Sequence, residues 1–249
     1  MEHTTLPMLT NNSTNSSSDN QIYCLIPCYN EGENLDELLP EIKQCNENYF
    51  PVVINDHSSD NTQEVALKNK ATVINLPINL GVGGAVQTGL QYVKQHNGAY
   101  AVKIDGDGQH NPSDLKNLLK PLIEGEADIV IGSRFINQCE GFKSTFFRRQ
   151  GIKILQLFTK LLSGNSITDP TSGYRAYNSK AIEFMAENYP SFDYPEPEEV
   201  ILAAKNNLRI KEVPVLMRNR CHGTSSISFF GSFYYMAKVI LAMLFIKIR

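Results

Sequence analysis

The chain has 249 residues, a net charge of −3 and 20% charged residues, which excludes a nucleic-acid binder driven by a general basic surface. Its apolar share of 42% is enough for a core of ordinary size. Of five cysteines, Cys24 and Cys28 stand four apart in an extended stretch, about 13 Å along a strand. They are too far apart to pair with each other, and reduced, buried thiols of a cytosolic protein are expected.

Residues 1–20 are Ser/Asn-rich and polar. They lack the charged start and apolar run of a secretory signal, so a disordered tail is expected. From residue 21 onward, short Val/Ile-rich runs alternate with amphipathic stretches. Strands are predicted over Ile22–Pro27, Pro51–Asn55, Ala71–Leu76, Ala99–Ile104 and Asp128–Gly132. Helices are predicted over Asn34–Asn46, Asn61–Lys70, Gly83–Gln95 and Pro112–Glu124. This alternation implies right-handed βαβ units and an α/β fold with a mostly parallel sheet flanked by helices. Beyond residue 134 come an apolar helix with a basic start ("FFRRQGIKILQLFTKLLSG"), the polar loop "SITDPTSGYR" and a helix near Ser179–Glu187. The stretch "YPEPEEVILAAKNN" and a strand in "LRIKEVPVLM" follow. Residues 228–249 form an apolar helix with Lys238 as its one internal charge over Ser228–Ile246. Tyr234, Tyr235, Lys247 and Arg249 suit a membrane interface, and docking on a partner, a spanning anchor or burial in the core are the alternatives.

In such sheets ligands bind at the carboxyl ends of the strands. The fourth strand ends in "KIDGDGQHNP", where Asp105 and Asp107 share one face if the chain stays extended. Two carboxylates about 5 Å apart repel by about 3 kcal/mol at an effective dielectric near 20. A divalent cation offsets this, and Gln109 adds a carbonyl oxygen at the next alternate position. Magnesium or manganese is therefore expected, completed by the oxygens of a diphosphate. "NDHSSDNT" offers Asp56 to a base or ribose, or Asp60 to a helix cap. "NLGVGGAVQTG" approaches a dinucleotide fingerprint but has Val86 at the third glycine position.

"IPCYNEGENL", "NDHSSDNT", "NLGVGGAVQTGL", "DGDGQHNP", "GSRF" and "DPTSGYRAYN", in this order, resemble a family 2 glycosyltransferase of GT-A fold. The likeness is greatest to the polyprenyl- and dolichyl-phosphate sugar transferases, and it spans residues 22–226. It implies a glycosyltransferase domain over 21–227. Pro27, Tyr29, Glu31, Asp56 and Gly83 would line the nucleotide pocket, and Asp105, Asp107 and Gln109 would hold the metal. Arg134 and Arg148 would neutralise phosphate, Asp169, Ser172 and Arg175 would lie beside the acceptor, and Arg220 would add a basic group. Asn55 and Ser226 depart from the family's aspartate and lysine. Guanidinium suits these roles because its donor fork matches phosphate oxygens.

The implied reaction is inverting, metal-dependent transfer of a hexose from a nucleotide-sugar. The acceptor would be polyprenyl phosphate or a polyprenyl-linked saccharide at the cytoplasmic membrane face, with the membrane surface or a small membrane protein as the partner. A phosphate acceptor needs no strong base. A sugar hydroxyl does, and Glu196, Glu198 and Glu199 are available, Glu198 being the choice. Transfer to a sugar hydroxyl in surface polysaccharide synthesis, a sugar-phosphate nucleotidyltransferase and a degenerate nucleotide-sugar binding module are the alternatives.

Overall fold

A computed structural model describes residues 21–136, 146–191, 193–218 and 229–248, with the backbone alone at 146–149 and 229–235. The strands are β1 (Ile22–Cys28), β2 (Tyr49–Asn55), β3 (Thr72–Asn75), β4 (Tyr100–Lys103), β5 (Ile129–Ser133), β6 (Arg175–Asn178) and β7 (Ile210–Pro214). The helices are α1 (Gly32–Cys45), α2 (Thr62–Lys68), α3 (Gly81–Gln95), α4 (Leu115–Ile123), α5 (Phe146–Ser163), α6 (Ser179–Asn188), α7 (Glu196–Lys205) and α8 (Phe229–Ile248). The strands form one seven-stranded sheet in the order β3-β2-β1-β4-β6-β5-β7. All run parallel except β6, which lies antiparallel between β4 and β5.

The predicted strands and helices of the first 134 residues are present, with ends that agree to within three residues. Pro112 opens a short 3-10 turn before α4, where the Asn111 side chain accepts from the Ser113 amide. The strand β6 lies between the predicted polar loop, which ends at Arg175, and the predicted helix near Ser179–Glu187, where the sequence pattern predicts no strand. Its four residues, Arg-Ala-Tyr-Asn, show neither an apolar run nor clear alternation. Tertiary pairing on both edges makes it a strand.

Period-two alternation splits the core between the two sheet faces. Cys24 and Ile26 of β1 face Leu35, Leu39 and Ile42 of α1 and Leu118 of α4. Tyr23 and Leu25 face Leu90 and Val93 of α3 and Ile182 of α6. Cys24 and Cys28 are buried free thiols, and burial pushes both well above the usual thiol range. A smaller cluster joins Leu155 of α5, Ile201 of α7, and Val239 and Met243 of α8. Among the described residues no helix is long and apolar enough to cross a membrane.

Candidate active site

Register brings the strand ends together. Pro27 and Cys28 of β1 stand opposite Ile54 and Asn55 of β2, and Leu25 stands opposite Lys103 of β4. The Ile104 amide still donates to Leu25 O at 2.9 Å, so Asp105 leaves the sheet beside the end of β1. A Cβ on Gly106 would lie 2.7 Å from Cys28 Sγ and 3.2 Å from Pro27 O, so only glycine lets the loop pass this close. Gly108 takes φ of +72°, and the Asp107 carboxylate accepts the Gln109 amide at 3.1 Å.

Among the residues expected to line the nucleotide pocket, buried Asp56 accepts the Leu80 amide at 2.6 Å, just before α3. Burial raises its pKa against these backbone bonds. Tyr29 is exposed, Pro27 and Glu31 are half-buried, and Gly83 is buried in the first turn of α3. Glu31 accepts from Asn34 Nδ2 at 2.6 Å. Asp60, one residue before the Asn61 N-cap of α2, accepts the Thr62 amide at 3.0 Å and also the Gly32 amide at 3.1 Å. Asn55 donates to Asn75 Oδ1 at 2.8 Å and accepts the Ser58 amide at 3.1 Å. Its amide, supplying donor and acceptor at once, ties β2 to β3 in a way a carboxylate could not.

The residues expected beside the acceptor are held differently. Asp169 is fully buried and takes the Arg134 guanidinium in a bidentate pair, Nε to Oδ2 and NH2 to Oδ1, each at 2.6 Å. Glu212 accepts the Thr168 amide at 2.7 Å and the Asp169 amide at 2.9 Å. Ser172 Oγ donates to Gly132 O at 2.6 Å. Arg175, also buried, donates to Ser172 O at 2.9 Å and Glu196 O at 2.8 Å, and pairs with Glu199 at 3.2 Å. Arg134, Ser172 and Arg175 thus brace the 169–173 loop and α7. The Arg175 guanidinium, expected beside the acceptor, lies inside the protein. Arg220 and the side chain of Arg148 lie outside the described residues.

Glu198, the base expected for a hydroxyl acceptor, accepts from Ser191 Oγ at 3.1 Å, and burial raises its pKa to about 7. Glu196 is linked to Asp105 through Lys103, whose Nζ it takes at 2.7 Å. Lys103 Nζ in turn lies 3.9 Å from Asp105 Oδ1. Sequence reasoning passed over Lys103, although a lysine inside the apolar run "YAVKI" was a signal of a buried partner.

Asp105 and Asp107 fit a hard divalent cation: both offer oxygen, as Mg²⁺ and Mn²⁺ prefer. Gly173 leaves the room, since a Cβ there would lie 2.8 Å from Asp105 Oδ2. Among the described residues no third His, Cys, Asp or Glu completes a cluster. That fits a cation which fills its shell from water, an amide oxygen such as that of Gln109, and phosphate.

The family model for Glycosyl transferase family 2 matches residues 23–185. The chain is a family 2 glycosyltransferase. It is 32% identical over 217 residues to the UDP-N-acetylglucosamine–dolichyl-phosphate N-acetylglucosaminyltransferase of Methanococcus voltae, covering 80% of this chain and 86% of that one. It is 30% identical over 231 residues to the dolichol-phosphate mannosyltransferase of Pyrococcus furiosus, covering 90% of this chain and 64% of that one. This glycosyltransferase thus resembles the polyprenyl-phosphate sugar transferase branch. Its GT-A fold matches glucosyl-3-phosphoglycerate synthase of Mycobacterium tuberculosis, solved with Mn²⁺ and UDP, at 18% identity and a TM-score of 0.67. That match covers 92% of this chain and 80% of the other.

Proposed function

We propose that this glycosyltransferase moves a hexose from a nucleotide-sugar to polyprenyl phosphate, with inversion, at the cytoplasmic face of a membrane. The observation that carries the reading is the Asp105–Asp107 pair, set at the end of β4 beside β1 with Gly173 leaving room for it. The likeness to transferases named for dolichyl-phosphate acceptors supports the lipid acceptor.

A bound Mg²⁺ or Mn²⁺ would stabilise the diphosphate as it leaves. Asp105 and Asp107 would hold that cation, with Gln109 as a further oxygen donor. Pro27, Tyr29, Glu31, Asp56 and Gly83 border the nucleotide side. Arg134 fixes the 169–173 loop through Asp169, which leaves Arg148 and Arg220 as the proposed phosphate-neutralising groups. A lipid phosphate is already ionised, so attack on the anomeric carbon needs no base, and Glu198 need not reach the reacting atoms.

Leu241, Phe245 and Ile248 of α8 are exposed on the outside of the domain, with Lys247 beside them. This supports α8 as an interfacial helix that holds the site at the lipid surface. UDP is the first nucleotide to test, because the Methanococcus relative is named for a UDP-sugar. The test is transfer of labelled sugar from UDP-, GDP-, CDP- and dTDP-hexoses to polyprenyl phosphate or to a free sugar. Label entering the lipid fraction is the expected result. Label entering only sugar hydroxyls would replace the acceptor.

A further inference from the structure

We propose that His110 is the positioning residue of the metal site, fixing the peptide and the carboxylate of Asp105 from beneath. The inference rests on the metal reading above. His110 is 1% exposed, and its ring stacks on Tyr174 with centroids 4.5 Å apart and planes at 9°. Tyr174 is itself anchored, donating to Asn111 O at 2.9 Å. The His110 backbone bridges to Met217, and the Arg218 amide donates to Gln109 O at 2.9 Å. These contacts hold the plane of the ring against Tyr174.

In that orientation Nδ1 accepts the Asp105 amide at 3.0 Å, at the point where the chain leaves the sheet. A neutral imidazole that accepts at Nδ1 carries its proton on Nε2. Nε2 stands 3.6 Å from Asp105 Oδ2, and Lys103 Nζ stands 3.9 Å from Oδ1. Both lie beyond direct hydrogen-bond length and act on the Asp105 carboxylate through the N–H dipole and the ammonium charge. Gly173 supplies no Cβ to block the carboxylate between them. Partners that orient a ligating carboxylate commonly set metal affinity by 10- to 100-fold, which is the scale expected here.

The experiment measures Mn²⁺ binding by calorimetry and by electron paramagnetic resonance, on the full chain with UDP present. Asp107→Asn serves as the reference for loss of a ligand. His110→Asn keeps an acceptor near the Asp105 amide and lacks the distal donor; it is expected to weaken Mn²⁺ binding about tenfold or more. His110→Gln places an amide donor near the Nε2 position and is expected to recover most of the affinity. Both should melt within about 4 °C of wild type. Wild-type Mn²⁺ affinity in His110→Asn, with Asp107→Asn impaired, overturns the role of His110 alone. Absence of Mn²⁺ binding in the wild type overturns the metal reading as well. If His110→Asn does not fold, Tyr174→Leu carries the test by removing the ring that holds the imidazole. Weakened Mn²⁺ binding then supports the proposal, and wild-type affinity overturns it.

Discussion

Asp56 and Asp60, at the end of β2, are held by backbone amides from the segments around them. Asp169, Glu196 and Glu199, on the other side of β4, are held by the buried cations Arg134, Lys103 and Arg175. Amides hold a carboxylate without adding a formal charge, so the first group can still meet a ligand at the cleft. A buried cation needs its anion, so the second group is committed to structure first. A charged motif therefore means different things in the two regions.

Breaking the ion pairs should expose this contrast most strongly. Asp169→Ala removes the carboxylate that takes the Arg134 fork and leaves that guanidinium nearly buried. A loss of about 3–5 kcal/mol in stability is expected by denaturant unfolding. A loss under about 1 kcal/mol would show that the pair is not a structural brace. Asp107→Asn should do the reverse, reducing turnover by about 100-fold or more with the melting temperature nearly unchanged. Wild-type turnover in that variant would remove the metal assignment.

Smaller effects sharpen the picture at the rim. Phe245→Glu on exposed α8 should reduce binding to vesicles containing anionic lipid, while stability stays within about 0.5 kcal/mol. Equal sedimentation with vesicles would count against α8 as the contact. Glu198 tests the acid side of the second region. Its folded pKa of about 7 lies above the ordinary glutamate value, so the folded state holds this proton more tightly than the unfolded chain. Stability is therefore lost as pH rises from about 4.5 to 7. Glu198→Gln should match wild type at pH 4 and exceed it at pH 8 in thermal melts. A constant difference across that range would contradict the shift.

The same contrast explains what was legible from sequence. Strands β1 to β5 and helices α1 to α4 carry runs and periodicities that local rules read well. Asp56, Asp105 and Asp107 stood out because strand ends are where such sheets bind ligands. By contrast, β6 is too short and polar to show itself, and it depends on β4 and β5 for pairing. Arg175 reads as a ligand until Glu199, far along the chain, is seen against it. His110 and Lys103 were hidden for the same reason. Their meaning lies in what stands beside Asp105, which only tertiary packing decides.

The most direct measurement is thermal stability of the full chain with UDP, GDP, CDP and dTDP, each with and without Mn²⁺, in wild type and Asp107→Asn. A ligand at 100 times its dissociation constant stabilises by about 2.7 kcal/mol, well within reach of the method. A rise with one nucleotide that requires Mn²⁺ and vanishes in Asp107→Asn is the predicted result. A rise of equal size without metal, or one that persists in Asp107→Asn, would contradict the account.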